Sequence, residues 1–346
     1  MTDTMAPHTD QLADRSAGSR STPVTDGELG LRGAPAVAVR ALEKVYPGDV
    51  HAVKGIDFDV APGEVFGLLG PNGAGKSSTI GMLTTTIAPT GGSACLAGFD
   101  VAREPLAARS VSAVVFQEAV VDGGLTGRRN LEIHARLWGL DPATASRQVA
   151  AVVETFGLSE LIDRPVSTYS GGQRRRLEIA RALVSQPRVL FLDEPTVGLD
   201  PRIRYELLDV IAGLRAGGEM TIVLTTHYLD EAERLCDRLA IIDSGSVVAC
   251  DTPAALLSAI GPEVLELRAD DPNRATEALA RSGIDPDDIV AIGQTVTASL
   301  RSANGSDTLR RLDAAGVSVR SATTRHTTLD DVYLRLTGGR IGPPSD

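Results

Sequence analysis

The chain has 346 residues, of which 42% are hydrophobic and 23% charged, values that allow a sizeable core and two domains. Its net charge of −11 disfavours nucleic acid as a partner, because phosphate contacts need a basic surface. No apolar run reaches the roughly 18 residues of a membrane-spanning helix, and the N-terminus has no hydrophobic signal segment. The three cysteines form no CxxC pair, so we expect a cytosolic protein without disulfides or a cysteine metal site.

In chain order, residues 1–35 are rich in Ser, Thr, Asp, Gly and Pro, and we expect them to form a disordered leader. The stretches "AVAVRAL" and "GIDFDVA" then alternate as antiparallel strands do, whereas "EVFGLLG" is a continuous apolar run typical of a buried parallel strand. After the strand "SAVVF" the chain is expected to be mostly helical to about residue 165. Two further apolar runs, "RVLFLD" and "MTIVLTTH", flank a predicted helix, so the alternation predicts a largely parallel sheet.

The helix in "GGQRRRLEIARALVSQ" is predicted to turn Leu177, Ala180, Leu183 and Val184 to the core and its arginines to the opposite face. Beyond residue 261 the pattern predicts a small β-α-β-β-α-β unit, followed by a terminal helix in "LDDVYLRLTG". We therefore predict an α/β domain over 36–260 with a helical part at about 118–185. A small α+β domain over 261–340 and a tail over 341–346 complete this prediction.

The stretch "GPNGAGKSS" fits the pattern G-x-x-x-x-G-K-[ST] and lies between a predicted strand and a predicted helix. Its glycines permit backbone conformations that point N–H groups at phosphate oxygens, and the following helix N-terminus favours an anion. We expect Lys76 to neutralise the β- and γ-phosphates of a nucleotide and Ser77 to bind Mg²⁺. The predicted binding loop comprises Gly70, Pro71, Asn72, Gly73, Ala74, Gly75, Lys76, Ser77 and Ser78.

Three further strands end in polar residues at what should be one edge of the sheet. "VLFLDE" ends in Asp193, expected to hold Mg²⁺, and Glu194, expected to orient or deprotonate the attacking water. "SAVVFQ" supplies Gln117, expected to contact Mg²⁺ or the water, and "TIVLTTH" supplies His227, expected to contact the γ-phosphate. Gln117 or His227 alone would equally fit a hydrogen-bonding strand end. Together with the glycine loop, the four positions predict hydrolysis of a nucleoside triphosphate.

A second glycine pair stands far downstream, in "SGGQ" at residues 170–173, where it opens a basic helix. Ser170, Gly171 and Gly172 would form another anion site at a helix N-terminus. Two such loops are redundant for one nucleotide, so they suggest a head-to-tail pair in which this loop closes on the other chain's γ-phosphate. The alternative is simple N-capping of the helix by Ser170.

These motifs, in this order, resemble those of the ABC-transporter ATP-binding subunit over residues 36 to about 255, and "SGGQ" is the most specific of them. The resemblance implies an α/β P-loop NTPase fold of ABC type: a mixed sheet, an antiparallel β subdomain, a helical subdomain and here a small C-terminal α+β domain. It also implies a homodimer that sandwiches ATP, each molecule bound by one chain's phosphate loop and by Ser170–Gln173 of the other. The implied partner is an integral membrane permease, and the chain itself would be cytoplasmic and peripheral on the inner face of the cell membrane.

Other positions carry over by the same resemblance. Tyr46 in "KVYPG" would stack on adenine, although packing on the core is the alternative, and Asp200 in "TVGLD" would couple the two sites of a dimer. Gln117 would link the nucleotide to the membrane subunit. Tyr169 stands where the signature usually has Leu, a difference we expect to be tolerated.

The stretches "VVFQEAVVDGGLTGRRNLEIHARLWGL" and "TLDDVYLRLTG" resemble ATP-binding subunits of daunorubicin/doxorubicin-resistance exporters, which implies export of a drug or lipid-linked cargo. Arg129 replaces the usual acid of "TGRENL", either altering a contact to the permease or standing as a solvated residue. The region around Trp138 either meets the permease or packs in the core. Two alternatives remain: a soluble ABC ATPase of DNA repair or translation, and a nucleotide-binding regulator without turnover. The single uninterrupted cassette counts against the first, and Glu194 and His227 count against the second.

Overall fold

The computed structural model describes residues 34–118, 120–214, 220–301 and 303–338. The predicted leader lies outside these ranges except for its last two residues, and the predicted tail lies wholly outside them. The strands are Val37–Tyr46 (β1), Val50–Val60 (β2), Val65–Leu69 (β3), Gly91–Leu96 (β4), Phe99–Asp100 (β5), Ser112–Val115 (β6), Val189–Asp193 (β7), Thr221–Thr226 (β8), Arg238–Asp243 (β9), Ser246–Asp251 (β10), Glu263–Ala269 (β11), Ile289–Ile292 (β12), Thr295–Ser299 (β13) and Val319–His326 (β14).

The helices connect these strands and cover the faces of the sheets. They are Lys76–Leu83 (α1), Pro105–Ser110 (α2), Gly127–Leu137 (α3), Pro142–Thr155 (α4), Gly171–Leu183 (α5), Pro201–Leu214 (α6), Leu229–Leu235 (α7), Pro253–Ile260 (α8), Pro272–Arg281 (α9), Gly305–Ala314 (α10) and Leu329–Thr337 (α11). Within the described ranges, the longest of these helices still lacks the length and apolar character needed to cross a bilayer.

The first sheet is antiparallel, with strand order β2-β1-β4-β5. A tight turn joins β1 to β2, and Gly48 and Asp49 adopt positive φ values of 85° and 61° there. The inward-facing residues of β1, including Val37, Val39 and Leu42, are fully buried. The predicted antiparallel pairing of the first two strands is therefore confirmed.

The second sheet has six strands in the order β10-β9-β3-β8-β7-β6. Strands β6, β7, β8, β3 and β9 run parallel, and only β10 pairs antiparallel. Every residue of β3, β7 and β8 is buried, because helices or the first sheet cover both faces. This burial explains the continuous apolar runs in the sequence. Parallel alignment also brings the carboxyl ends of the strands to one edge, where the polar residues follow.

Helices α3, α4 and α5 pack together as a helical group beside β6 and β7. The predicted core face of α5 is correct, with Leu177, Ala180 and Val184 buried and Leu183 partly buried. The prediction that the arginines lie on the opposite face is wrong for Arg175, whose side chain is buried. Its guanidinium turns inward because backbone carbonyl groups at the ends of neighbouring strands need hydrogen-bond donors there.

The third sheet, order β12-β13-β11-β14, is antiparallel throughout and is packed by α9 and α10 around its own small core. This unit follows the predicted β-α-β-β-α-β order. Helix α11 then leaves it and buries Leu329, Val332 and Tyr333 in the core that underlies β7 and β8. The Tyr333 hydroxyl donates a hydrogen bond to Asp243 Oδ1 at 2.8 Å. The predicted fold class is confirmed by this architecture.

Candidate active site

A cleft of about 610 Å³ lies at the carboxyl-terminal edge of the six-stranded sheet, a volume within the usual range for small-molecule sites. It brings together residues from four strand ends and from the tip of the first sheet. Its lining comprises Tyr46, Val50, Ala52, Asn72, Gly73, Gly75, Lys76, Ser77, Ser78, Gln117, Glu194, Val197 and His227. The sequence-predicted phosphate loop and the polar ends of the following strands therefore share one cleft.

The loop between β3 and α1 depends on glycine at several positions. Gly73 and Gly75 have φ values of 80° and 106°, in the left-handed region that glycine adopts without a steric penalty. A Cβ on Gly70 would lie 2.2 Å from the Ile242 carbonyl oxygen. Pro71 and Ala74 complete the loop, and α1 begins directly at Lys76. The backbone is thus wrapped around the start of a helix, as a phosphate-binding loop requires.

Three charged or titratable side chains meet at the floor of the cleft. Lys76, which is 4% exposed, donates hydrogen bonds to the carbonyl oxygens of Gly70 at 2.8 Å and Pro71 at 3.1 Å. Its Nζ also lies 3.2 Å from Glu194 Oε1. The same carboxylate oxygen lies 3.4 Å from Nδ1 of His227. Glu194 therefore stands between a lysine and a histidine, and its backbone has a positive φ of 45°, an uncommon conformation that is often found at functional sites.

Asp193 lies one residue before Glu194 and is buried beneath the loop. Its Oδ1 accepts hydrogen bonds from Ser77 Oγ at 3.2 Å and from Thr225 Oγ1 at 2.6 Å. The Thr225 hydroxyl in turn accepts the Glu194 N–H at 2.9 Å. Thr225 thus holds both acids in place, although sequence analysis did not single it out. The available sequence signal was a threonine at a core-facing position of a buried strand, next to the strand that ends in the two acids.

Arg175 is the second supporting residue that sequence analysis missed. Its guanidinium donates hydrogen bonds to the carbonyl oxygens of Pro195 at 2.8 Å, Phe116 at 2.6 Å and Asp193 at 3.1 Å. It also forms an ion pair with Glu178 at 3.0 Å. These bonds connect the first turns of α5 with the segments that carry Gln117 and Glu194.

The adenine candidate, Tyr46, lies at the end of β1 on the rim of the cleft. Its hydroxyl hydrogen-bonds with Ser78 Oγ at 3.2 Å, and Lys44 Nζ lies 5.1 Å from its ring centroid. Gln117 is exposed and lines the same cleft.

The second glycine pair lies away from the lining of this cleft. Ser170 Oγ accepts the Gln173 N–H at 3.2 Å and Gln173 Oε1 accepts the Ser170 N–H at 2.9 Å, so the capping alternative is realised as a capping box. A Cβ on Gly172 would lie 2.2 Å from Ile203 Cγ2, whereas one on Gly171 would meet nothing closer than 3.8 Å. Asp200 is exposed and lies immediately before α6, the helix next to α5. Its Oδ1 accepts the Ile203 N–H at 3.1 Å.

A glycine loop between a buried strand and a helix, a buried lysine and paired acids on a neighbouring strand together define a P-loop nucleotide-hydrolysing domain. The family model described as "ABC transporter" matches residues 53–197. The daunorubicin/doxorubicin resistance ATP-binding protein DrrA of Streptomyces peucetius is 44% identical over 310 residues, which cover 88% of this chain and 92% of that protein. The chain belongs to the family of ABC-transporter ATP-binding subunits.

Two further comparisons support this assignment. The Nod factor export ATP-binding protein I of Paraburkholderia xenovorans is 40% identical over 311 residues, covering 88% of this chain and 97% of that protein. The solved structure of CbiO1 from Clostridium perfringens, part of the ABC transporter complex CbiONQ, has a TM-score of 0.61 at 27% identity and covers 65% of this chain and 91% of that one. The chain therefore binds and hydrolyses ATP as a subunit of an ABC exporter. These relatives do not favour the alternatives of a DNA-repair or translation ATPase or of a regulator without turnover.

Proposed function

We propose that the chain, peripheral on the inner face of the cell membrane, powers the export of a drug-like or lipid-like cargo through a separate integral membrane permease. The support is the similarity to resistance and export ATPases over nearly the whole chain. The small C-terminal unit, 261–340, we keep as a separate accessory domain beside the ATPase domain, 36–260, with 118–185 as its helical part. No nucleic-acid partner enters this proposal.

We further propose that two copies form a head-to-tail dimer in which each ATP is bound by the cleft of one chain and by Ser170–Gln173 of the other. The observation that carries this proposal is the position of the second glycine pair. Ser170 and Gly171 are exposed at the N-terminus of a 13-residue helix, yet they are not among the residues that line the cleft of their own chain. An anion site at this helix end is best used by a nucleotide held on another copy.

Within this dimer each residue has an assigned role. Lys76 and His227 stabilise charge on the γ-phosphate, and Glu194 orients and deprotonates the attacking water. The loop amides of Gly70–Ser78 hold the phosphates, and Tyr46 stacks on adenine. Asp200 couples the two sites.

A magnesium ion fits the oxygen ligands beneath the loop. The Ser77 hydroxyl and the Asp193 carboxylate lie within hydrogen-bond distance of each other, and both are hard oxygen donors of the kind that Mg²⁺ prefers. With Gln117, these residues would hold the ion, which supplies positive charge to the phosphate oxygens. Gln117 would also link the bound nucleotide to the permease.

A complementation experiment tests the composite site directly. Lys76→Met disables the phosphate loop. Gly171→Asp puts a negative charge at the helix end without a clash, since a Cβ at Gly171 meets only Leu199 Cδ2 at 3.8 Å. Each variant alone should be inactive, because every composite site of its homodimer carries the defect. In an equimolar mixture half of the dimers pair the two variants, and each such dimer has one intact site, so about a quarter of the wild-type ATPase rate should return.

If mixing restores no activity although both variants are folded and form mixed dimers, the second loop does not serve the other chain. The permease partner is tested separately by affinity purification of the chain from detergent-solubilised native membranes, with and without ATP. Co-purification of a polytopic membrane protein supports the transporter assembly. Recovery of soluble partners alone would contradict it.

A further inference from the structure

A fully buried carboxylate that belongs to none of the nucleotide-binding motifs lies behind the cleft. Glu231 occupies the first turn of α7, four residues after His227, and its side chain is 0% exposed. Burial raises the pKa of Glu231 above its usual range. Three polar groups nevertheless surround the carboxylate. A charged side chain is retained in a protein core only where its hydrogen-bonding partners are fixed around it.

One arm of this cluster holds the turn that carries His227. Glu231 Oε2 accepts a hydrogen bond from Thr226 Oγ1 at 2.8 Å. The same hydroxyl accepts the Tyr228 N–H at 2.9 Å, so it closes the turn around His227. A hydroxyl has one proton, and donating it to the carboxylate leaves its lone pairs for the amide. Glu231 therefore bonds to the hydroxyl that closes the turn around His227.

The other arm holds the loop that runs from Glu194 to Asp200. Glu231 Oε1 accepts a hydrogen bond from Thr196 Oγ1, in the middle of that loop. Arg204 Nε lies 2.9 Å from the same Oε1, and the Arg204 N–H donates to the Asp200 carbonyl at 2.9 Å. One carboxylate thus contacts both segments, each through a different oxygen.

A second contact joins the His227 turn to α6, the helix that follows the loop. The Arg204 guanidinium carbon lies 4.2 Å from the Tyr228 ring centroid, and that ring lies 4.2 Å from the His227 ring. The turn therefore also packs against the side chain of Arg204, in the first turn of α6 after the loop.

We propose that Glu231 is a positioning residue that fixes the His227 turn and the 194–200 loop in one mutual arrangement. His227 in one site and Asp200, which the proposed function places at the dimer contact, then shift together. The proposal rests on the proposed function for the roles of those two residues. The bridge itself is a property of the single chain. The competing explanation is that Glu231 only stabilises the core.

The first measurement tests whether a substitution in one arm of the cluster changes the other arm within the single chain. Thr196→Val removes the donor on the loop arm and does not touch Thr226. We expect amide hydrogen exchange at Tyr228 to accelerate in this variant, because Glu231 loses one of the partners that orient it. An unchanged Tyr228 exchange rate in a folded Thr196→Val protein would show that the arms are independent and would overturn the proposal.

The second measurement separates positioning from stability. Glu231→Gln keeps the shape of the side chain but replaces one acceptor oxygen by an NH₂ group and removes the charge opposite Arg204. We expect kcat of the folded fraction to fall by about 10- to 100-fold, by analogy with the loss of residues that orient a catalytic group. KM for ATP should stay near the wild-type value, since Glu231 does not line the cleft. A wild-type kcat per folded molecule would overturn the proposal.

Asp288→Asn provides the matched control. Asp288 is also a buried carboxylate, paired with Arg301 at 2.5 Å and Arg335 at 2.9 Å, but it lies immediately before β12 of the third sheet. This variant should lose stability and keep kcat. Failure of the Lys76→Met and Gly171→Asp complementation would remove the dimer role of Asp200 while leaving the Tyr228 exchange result intact, so the two proposals fail separately.

Discussion

Thr225 allows catalytic geometry to be separated from fold stability. Its side chain is fully buried on β8, and its hydroxyl bonds to both the Asp193 carboxylate and the Glu194 N–H. Thr225→Val keeps the shape and removes both hydrogen bonds. A lost bond to a carboxylate and an unpaired buried N–H should together lower the free energy of unfolding by about 3 kcal/mol. The change also frees the acids that the proposed mechanism needs in fixed positions.

The same strand supplies the matched control. Thr221 begins β8 and shares the sheet face of Thr225, since both positions have the same parity. Its buried hydroxyl accepts the Gly63 N–H at 3.0 Å and lies 3.5 Å from the Ala61 carbonyl oxygen. Thr221→Val should therefore lower the free energy of unfolding by about 1–2 kcal/mol. Because it lies at the opposite end of the strand from the cleft, it should leave ATP turnover unchanged.

Denaturant unfolding and steady-state ATP hydrolysis, normalised to the folded fraction, distinguish the two variants. We expect kcat of Thr225→Val to fall by about 100-fold, because small displacements of reacting groups have effects of that size. Thr221→Val should turn over at the wild-type rate. If Thr225→Val loses stability but keeps the wild-type kcat per folded molecule, Thr225 does not orient the acids and the reasoning is refuted.

Three further predictions concern other parts of the chain. Glu194→Gln should lower turnover by about 10²–10⁴-fold while ATP-bound dimers accumulate in size-exclusion chromatography, whereas Glu154→Gln on the exposed side of α4 should change neither; turnover at the wild-type rate would remove Glu194 from the chemistry. Gly172→Ala places a Cβ 2.2 Å from an Ile203 methyl group, so we expect the free energy of unfolding in urea to fall by about 1–3 kcal/mol, and an unchanged midpoint would contradict the packing seen here. Tyr333→Phe removes the hydrogen bond to the carboxylate at the end of β9 and should lower the free energy of unfolding by about 1 kcal/mol at unchanged kcat, so a loss of turnover would assign α11 a role beyond docking.

Sequence patterns predicted the parts of the site that depend on local conformation. The glycine loop can be recognised in the sequence because Gly73 and Gly75 need positive φ and because Lys76 must follow them at the start of a helix. The ends of strands buried on both faces can also be recognised, because such strands appear in the sequence as continuous apolar runs that are followed by a polar residue. Parallel alignment then places those polar residues at one edge, which is why the sequence alone groups Glu194 with His227.

Residues that act through tertiary contacts could not be predicted in this way. Helical periodicity grouped Arg175 with its neighbouring arginines, since nothing local shows that three strand-end carbonyl groups lack donors beside that helix. Thr225 and Glu231 have the same difficulty. Thr225 bonds to Asp193, 32 residues away, and Glu231 bonds to Thr196, 35 residues away, so the need for a buried hydroxyl or carboxylate arises only when the strands are aligned.

These supporting contacts have a consequence for a composite site. Arg175 lies in the second turn of α5, the helix whose N-terminal end at Ser170 is proposed to face the other chain. Its guanidinium donates hydrogen bonds to backbone carbonyl groups beside Gln117 and Glu194. A guanidinium with several fixed acceptors resists displacement, because moving it leaves buried carbonyl groups unpaired. Any shift of α5 on dimer closure must therefore move those backbone segments or break these bonds. In the proposed dimer, the backbone contacts of this one buried arginine would therefore couple the half-site that a chain offers its partner to the half-site that it uses itself.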